Sequence, residues 1–574
     1  MPTNSSSAQD NALRTAPQQN GGTWTRDLLV LTLLFGVLLG FRLGSYALGN
    51  PDEGRYAEIP REMVAAGDYV TPRLDGVNYF EKPPLVYWAV AGCLKLFGPS
   101  EWSMRLVPAL FSLTGILLTY VAARRIHGRV AGLASAVVLG TSLLYFALSR
   151  ILILDMVVSV LMSATLFCFI LGLREPAGQT RRWLFYGLYA SAALATLAKG
   201  LIGVLVPGAV MFFWLLLLNQ WHRLRPFYLP TGALLFLAIA VPWHMLAAAR
   251  NETWAQFYFI HEHWERFTTT QHGRYQPVWF FIPIVLAGLF PWIGFLWPAL
   301  KEAVAGGWAK RKENADVWFF IGWAAFIFLF FSKSQSKLIP YILPVFPPMA
   351  LVIGRYLARS WNDATATKLR LGLRVFSFVC GLLGAALCFV MLKKGVVRMD
   401  PEQLAALRPP AFVLAGILVA GGVVTPWLAK RRGVKTALCS LTATIVLFFG
   451  VLTLAAPDIQ KPGTKELAQI FTAHAVPTDR VYHYHGFFHD FTFYTGRVVG
   501  LVNYQDELEL VNDAAARHSG RFISDIEFRD QWAGPVRLWL VARKRDTKEL
   551  FADPGFHYHL LGEARDHYLL SNQP

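Results

Sequence analysis

Charged side chains are scarce in this chain, and cysteines are scarcer still. Asp, Glu, Lys and Arg make up 16% of its 574 residues, against roughly 25% in a soluble domain. The five cysteines (Cys93, Cys168, Cys380, Cys388, Cys439) all lie inside apolar runs. That placement excludes a disulfide scaffold and leaves no cysteine metal centre to read. No Gly-rich phosphate loop and no dinucleotide fingerprint occurs, so a nucleotide site has no support. Residues 1–23 are polar, rich in Ser, Gln and Asn, and lack a cleavage pattern after a short apolar core. They read as a disordered cytoplasmic tail ahead of a retained anchor.

Apolar residues are abundant, at 54% of the chain with 14% aromatic. Such a composition predicts an α-helical polytopic membrane protein. Lys and Arg outnumber Asp and Glu by 54 to 37, a net charge of +17. In a soluble protein this excess would suggest nucleic acid. Here the basic residues sit in short clusters between apolar runs, which is a topological signature and argues against a nucleic-acid partner.

A bilayer core takes about 20 apolar residues as helix, fewer where a helix ends in a protein-lined cavity. Thirteen runs qualify within residues 24–456, from 28–48 to 410–428 and 436–454, with short ones such as 341–353 among them. About 13 transmembrane helices are therefore expected. Clusters such as Arg124/Arg125/Arg129, Arg174/Arg181/Arg182 and Lys430/Arg431/Arg432/Lys435 follow even-numbered runs. By the positive-inside rule those loops and the N-terminus are cytoplasmic. An odd helix count then exports everything after residue 454. The same parity gathers loops 49–101 and 248–277, Asp155, Lys199, Lys333 and Lys337 on the outer face. A flippase or transporter would also supply many helices and intramembrane charge, but transporters favour internal repeats and midplane sites; no clear repeat is present.

The exported tail, residues 457–574, alternates strand-like runs (480–485, 498–502, 536–542, 557–561, 567–570) with helical ones (464–475, 505–517), predicting a small α/β domain. Its cluster His483, His485, His489, Asp490 looks like a metal site at first sight. The two histidines alternate along one strand face, and the reading preferred is a solvated strand and loop.

Several short stretches carry chemistry. Pro51 before Asp52-Glu53-Gly54-Arg55-Tyr56 resembles a helix start, where carboxylates sit well against the N-terminal dipole. Tyr56, Ile59 and Met63 suggest a short amphipathic helix at the interface, aiming Asp52 into the cavity it covers. In Tyr79-Phe80-Glu81-Lys82-Pro83-Pro84, the prolines force a turn that presents Lys82 and Tyr79 to an anion, with Arg55 as a third donor. Asp155 opens the fourth apolar run, where an ionisable group is costly and is a functional candidate, although an ion pair with Arg150 or Lys199 would also explain it. Lys199 before Gly200 similarly faces a cavity. The loop His261-Glu262-His263-Trp264-Glu265-Arg266 offers two readings. His261 and Glu265, at i, i+4, could share a helix face and with Glu81 hold a divalent ion; equally, His261 and Arg266 could contact a phosphate.

Taken together, Asp52-Glu53-x-Arg55-Tyr56, Tyr79-x-Glu81-Lys82-Pro83-Pro84-Leu85 and Asp155 resemble the protein O-mannosyltransferase-like group of membrane glycosyltransferases, which have the GT-C fold. Within it the similarity points to the bacterial branch that moves aminoarabinose from undecaprenyl phosphate onto lipid A. The likeness takes in Pro340-Tyr341, the His261/Arg266 loop and, in outline, the C-terminal domain. It implies a transferase of the bacterial inner membrane, working as a monomer with a periplasmic C-terminal domain. The donor would be undecaprenyl phosphate-linked sugar, the acceptor lipid A, and the outcome resistance to polymyxin and cationic peptides. No cofactor is required, with a divalent metal at Glu81 and His261 left open. Asp52, Asp155 and Glu53 are the catalytic candidates. Arg55, Tyr56, Tyr79, Lys82, Lys199, His261, Arg266 and Tyr341 are the substrate-binding ones. A lipid A phosphate is already ionised at neutral pH, so Asp52 and Asp155 would position the sugar amine and the nucleophile rather than act as a base. In a protein O-mannosyltransferase, the alternative reading, a Ser/Thr hydroxyl would need Asp52 as its base.

Overall fold

Each of the thirteen apolar runs falls on helix in the computed structural model, which describes residues 22–258, 275–393, 401–460, 463–505, 508, 510 and 513–574. Among the described residues eight helices are long and apolar enough to cross a membrane, or nine if one bent pair is a single span. The remaining runs are short or broken. The third splits into Arg129–Gly140 and Leu143–Leu148, and the eighth into Val278–Gly288 and Ile293–Ala303, bent by 105°. The two breaks meet. Leu143 donates its backbone N–H to the carbonyl of Phe290 at 3.0 Å, and the Trp292 indole donates to Thr141 Oγ1 at 2.9 Å. Groups freed by one broken helix are thus satisfied by the other, as backbone within a bilayer requires.

The tenth run begins as a 3-10 turn, Ile339–Val345, before the Phe346–Arg359 helix, because Pro340 and Pro344 cannot donate into a regular ladder. The last two runs form one stretch, Pro401–Ile459, interrupted at Gly433. Gly433 has φ 78°, and a Cβ there would meet the Ala364 carbonyl at 3.2 Å. Only glycine takes that backbone without strain. Between the first two spans the loop holds the expected Asp52–Ala66 helix. It also holds a second helix, Leu85–Phe97, where the sequence predicts loop. Pro84 caps it, so the paired prolines end a turn and start a helix.

The C-terminal domain is a six-stranded sheet ordered Phe522–Ile523, Gly500–Val502, Arg480–Tyr484, Leu538–Arg543, His567–Ser571, His559–Glu563. The first four strands are parallel and the last two antiparallel. All five expected strands are present; the two-residue Phe522–Ile523 edge was too short to read. Of the expected 505–517 helix, the described part is helical at Ala514–Arg517.

The histidine cluster departs from expectation. His483 is fully buried, its ring within 4.9 to 5.9 Å of Phe487, Phe488 and Phe491. It accepts the Phe488 backbone N–H at 3.2 Å. A parallel strand in mid-sheet is covered on both faces, so residue alternation does not imply a wet side. His485 lies at the strand end and pairs with Asp525 at 2.8 Å.

This domain docks on the Asp52–Ala66 helix. A Cβ on Gly54 would lie 2.5 Å from the backbone nitrogen of Asp490, so glycine permits the contact. His489 N–H donates to Asn50 Oδ1 at 3.1 Å, and Leu48 N–H to the Tyr494 hydroxyl at 2.9 Å. Buried Asp75 accepts from Val499 N–H at 2.8 Å and from Arg521 at 2.9 Å. The first long loop and the C-terminal domain are therefore in direct contact.

Candidate active site at the head of the Asp52–Ala66 helix

Asp52 is the first residue of its helix, and Arg55 one turn on meets it at 2.5 Å. The carboxylate remains half exposed while the guanidinium is buried. Arg55 packs 5.2 Å from the Tyr56 ring and lies within electrostatic range of Tyr79, Glu81 and Asp52. Tyr56 in turn feels Arg55, Asp52, Glu81 and Asp155. These relations draw the two stretches read from the sequence, and Asp155 with them, into one neighbourhood. Burial pushes the phenols of Tyr56 and Tyr79 up, which keeps them protonated and able to donate. The Tyr79 hydroxyl is buried with no hydrogen-bond partner among the described residues, a vacancy that suits a ligand oxygen.

Lys82 is nearly buried, and its ammonium donates to the Glu81 carbonyl at 2.8 Å with the Glu81 carboxylate 3.4 Å away. Across the site, Asp155 sits in the first turn of the Leu154–Arg174 helix, and Lys199 is the last residue of the Gln179–Lys199 helix. Each charge lies at the helix end whose dipole favours it. The two side chains form an ion pair, and the Lys199 ammonium also lies 4.3 Å from the centre of the Tyr341 ring. Of the two partners considered for Asp155, the structure selects Lys199. Arg150 instead donates to the carbonyls of Leu39 at 2.7 Å and Phe41 at 2.8 Å.

Glu53 is placed differently from expectation. Its Oε1 accepts from Arg105 Nε at 2.7 Å and Leu152 N–H at 3.0 Å. Its Oε2 accepts from Arg105 Nη2 at 2.8 Å and Gly49 N–H at 2.9 Å. A carboxylate has about four lone-pair sites, and all are taken, which leaves none for substrate. Arg105 also grips the carbonyls of Leu43, Tyr46 and Ala47. The sequence reading missed Arg105. Its signal was a lone arginine within an otherwise apolar run, which the membrane cost of charge marks as paired or functional.

Of the ligands proposed for a metal, Glu81 alone is among the described residues, and the Lys82 ammonium lies 3.4 Å from its carboxylate. Among the described residues no three His, Cys, Asp or Glu side chains gather to hold an ion. His261 and Arg266 lie outside the described residues.

Beside Asp52, on the side toward the last long helix, is a cavity of about 500 Å³. Its polar rim is Asn50, Asp52, Glu53, Arg150 and Gln460, and its walls include Phe146, Leu452 and Ile459.

Residues 81–246 match the family described as dolichyl-phosphate-mannose-protein mannosyltransferase. An undecaprenyl phosphate-alpha-4-amino-4-deoxy-L-arabinose arabinosyl transferase of Proteus mirabilis is 30% identical over 75% of this chain and 76% of its own. One from Enterobacter sp. is 31% identical over 73% of this chain and 74% of its own. The crystal structure of ArnT from Cupriavidus metallidurans bound to undecaprenyl phosphate superimposes with a TM-score of 0.84 at 29% identity, covering 96% of this chain and 98% of that one. On this similarity, running through the helical body and the C-terminal domain alike, the chain belongs to the family of undecaprenyl phosphate-aminoarabinose arabinosyl transferases, membrane glycosyltransferases that use a lipid-linked sugar.

Proposed function

We propose that the protein transfers 4-amino-4-deoxy-L-arabinose from undecaprenyl phosphate to a phosphate of lipid A. The observation that carries this reading is the convergence of Asp52–Arg55, Tyr79, Lys82 and Asp155–Lys199–Tyr341 on one face of a chain in the arabinosyl transferase family. Family membership also favours this reading over protein O-mannosylation.

In the reaction, a lipid A phosphate oxygen attacks the anomeric carbon of the sugar. The bond from that carbon to the phosphate oxygen of the donor breaks, and its electron pair leaves with undecaprenyl phosphate. The developing charge is met by Lys82 and Arg55, joined by Arg266 in this reading, which is electrostatic stabilisation and needs no general acid. Tyr79 donates its otherwise unused hydroxyl to a phosphate oxygen. The acceptor is an anion already, so Asp52 and Asp155 position the cationic sugar amine and the nucleophile. Glu53 acts at one remove, by fixing the backbone ahead of Asp52 through Gly49 and ahead of Asp155 through Leu152.

The protein resides in the bacterial inner membrane as a monomer, with its arginine-rich loops cytoplasmic and its C-terminal domain periplasmic. Adding a cationic sugar lowers the negative charge of the outer surface, and resistance to polymyxin and cationic peptides follows. Mass spectrometry of lipid A from cells with and without the protein tests the reading. Aminoarabinose-bearing lipid A is expected only in its presence. Identical lipid A in the two strains, with a glycan lost from a protein instead, would overturn it.

A further inference from the structure

Helices that begin near the transfer site end far from it. The Glu101–His127 helix starts against the C-terminal domain, where Glu101 accepts from Lys465 and from the Tyr494 hydroxyl at 3.0 Å, and it runs on for about 40 Å at the usual rise per residue. His127 therefore marks the opposite face. The Leu154–Arg174 helix, with Asp155 in its first turn, likewise delivers Arg174 there. His127 lies within electrostatic range of Arg174, Arg355 and Arg359, so one imidazole faces three guanidinium groups from two other helices.

Two of the three are neutralised. Arg174 pairs with Asp316, in the first turn of the Ala315–Lys333 helix, and Arg359 pairs at 2.8 Å with Glu302, near the end of the Ile293–Ala303 helix. Arg355 is not. It is 7% exposed and forms no hydrogen bond or ion pair among the described residues; the charges that act on it are Arg359 and the already paired Glu302. A buried guanidinium with neither counter-ion nor acceptor is costly, and an anion that supplies both removes the cost. The rim adds to the excess. Between Glu302 and Asp316 the connection carries Lys310, Arg311 and Lys312 against the single acid Glu313. It also carries Trp308, half exposed and edge-on to Trp318 at 5.5 Å between ring centres, an aromatic of the kind that settles at the headgroup level of a bilayer.

We propose that this cluster, at the end of the helical body remote from the transfer site, holds the phosphate of an anionic phospholipid, with Arg355 as the buried donor and the Lys310–Lys312 connection at its rim. Phosphate suits the site because a guanidinium can donate to two of its oxygens side by side. A phospholipid supplies it at the right depth. Four of the helices that end here are apolar spans and the fifth is half of the bent pair, and basic sites between such helix ends are where anionic headgroups collect. The bound lipid clamps those ends together without touching the transfer site.

The test uses the full chain in detergent, titrated with phosphatidylglycerol, phosphatidylcholine or inorganic phosphate, with bound lipid counted by native mass spectrometry and the unfolding temperature recorded. Phosphatidylglycerol should bind and raise that temperature, and phosphatidylcholine, which has no net charge, should not. Arg355→Gln should weaken phosphatidylglycerol binding about tenfold or more, the loss of one charge-assisted contact, with part recovered in Arg355→Lys. Without lipid the same variant should be at least as stable as wild type, because an uncompensated charge is gone. An arginine needed only for packing would instead give a less stable protein with unaltered lipid binding. Glu302→Gln, which frees Arg359 and enlarges the positive excess, should tighten phosphatidylglycerol binding, and it decides the matter if Arg355→Gln does not fold. Lys82→Ala, which disables the phosphate clamp of the transfer site, should leave the response intact. Unchanged binding in Arg355→Gln or in Glu302→Gln overturns the proposal, as does a response lost in Lys82→Ala and kept in Arg355→Gln. An equal response to inorganic phosphate keeps the anion site and overturns its assignment to a lipid.

Discussion

Lys199, at the C-terminal end of one apolar helix, is paired with Asp155, in the first turn of the neighbouring one, and the same ammonium lies 4.3 Å from the Tyr341 ring centre. The pair is nearly buried, so neither charge can be removed without leaving the other exposed to an apolar surrounding.

That relationship separates catalysis from architecture. Asp155→Asn and Lys199→Met should each lower stability, because breaking a buried pair from one side costs roughly 3–5 kcal/mol. The double variant restores neutrality and should regain most of the thermal stability, read by unfolding in detergent. Its transfer activity should stay abolished if Asp155 orients substrate. Recovery of transfer in the double variant would make the pair purely structural.

Glu53 predicts a different pattern. With its oxygens committed to Arg105, Leu152 and Gly49, Glu53→Gln should lose activity only as far as it loses folded protein. Arg105→Met should be worse, since it also frees three carbonyls. Specific activity normalised to folded protein is the readout. A Glu53→Gln variant as stable as wild type but inactive would return Glu53 to the chemistry.

A pH dependence follows from Glu62 on the Asp52–Ala66 helix, whose carboxylate accepts the Gly76 backbone N–H at 3.0 Å. Burial first, and then the neighbouring Glu58 carboxylate, push Glu62 up to about 7 from 4.5. A carboxyl raised on folding binds its proton more tightly in the native state, so its contribution is full below pH 4.5 and is lost as pH rises through about 7. Half-buried His567, lowered from 6.5 to about 4 by desolvation, acts in the opposite direction as pH falls. Comparison of wild type with Glu62→Gln cancels that term. The wild type should lose thermal stability relative to the variant across the interval from 4.5 to about 7, and parallel profiles would refute the assignment.

Lys82 tests the phosphate clamp. Lys82→Ala should weaken undecaprenyl phosphate binding by about 1.5–3 kcal/mol, the contribution of a charge-assisted bond in a partly desolvated site. Lys82→Arg should recover only part, because a planar fork does not occupy the position of a compact ammonium. Wild-type affinity in Lys82→Ala would reduce the Tyr79–Lys82 turn to a mere connection.

Much of this was legible because membrane helices and intramembrane charges are written locally. Apolar runs marked the helices, and Asp52, Lys82, Asp155 and Lys199 stood out as ionisable groups beside them. What was not legible depends on partners distant in sequence. Arg105 pairs with Glu53 across 52 positions, and no local pattern distinguishes a saturated carboxylate from a catalytic one. Gly54 shows its purpose only when Asp490 arrives from the C-terminal domain. His483 alternates like a residue on a half-wet strand, yet the sheet around it is covered on both faces. The Leu85–Phe97 helix was passed over because paired prolines signal a turn and a helix start equally well.

The central claim is tested most directly by reconstituting the purified chain with undecaprenyl phosphate-linked aminoarabinose and lipid A, and following both lipids by mass spectrometry. The account predicts that one aminoarabinose appears on a lipid A phosphate for each undecaprenyl phosphate released, that dephosphorylated lipid A is not a substrate, and that Asp52→Asn is folded but inactive. Transfer that is indifferent to the acceptor phosphate, or full activity in Asp52→Asn, would contradict it.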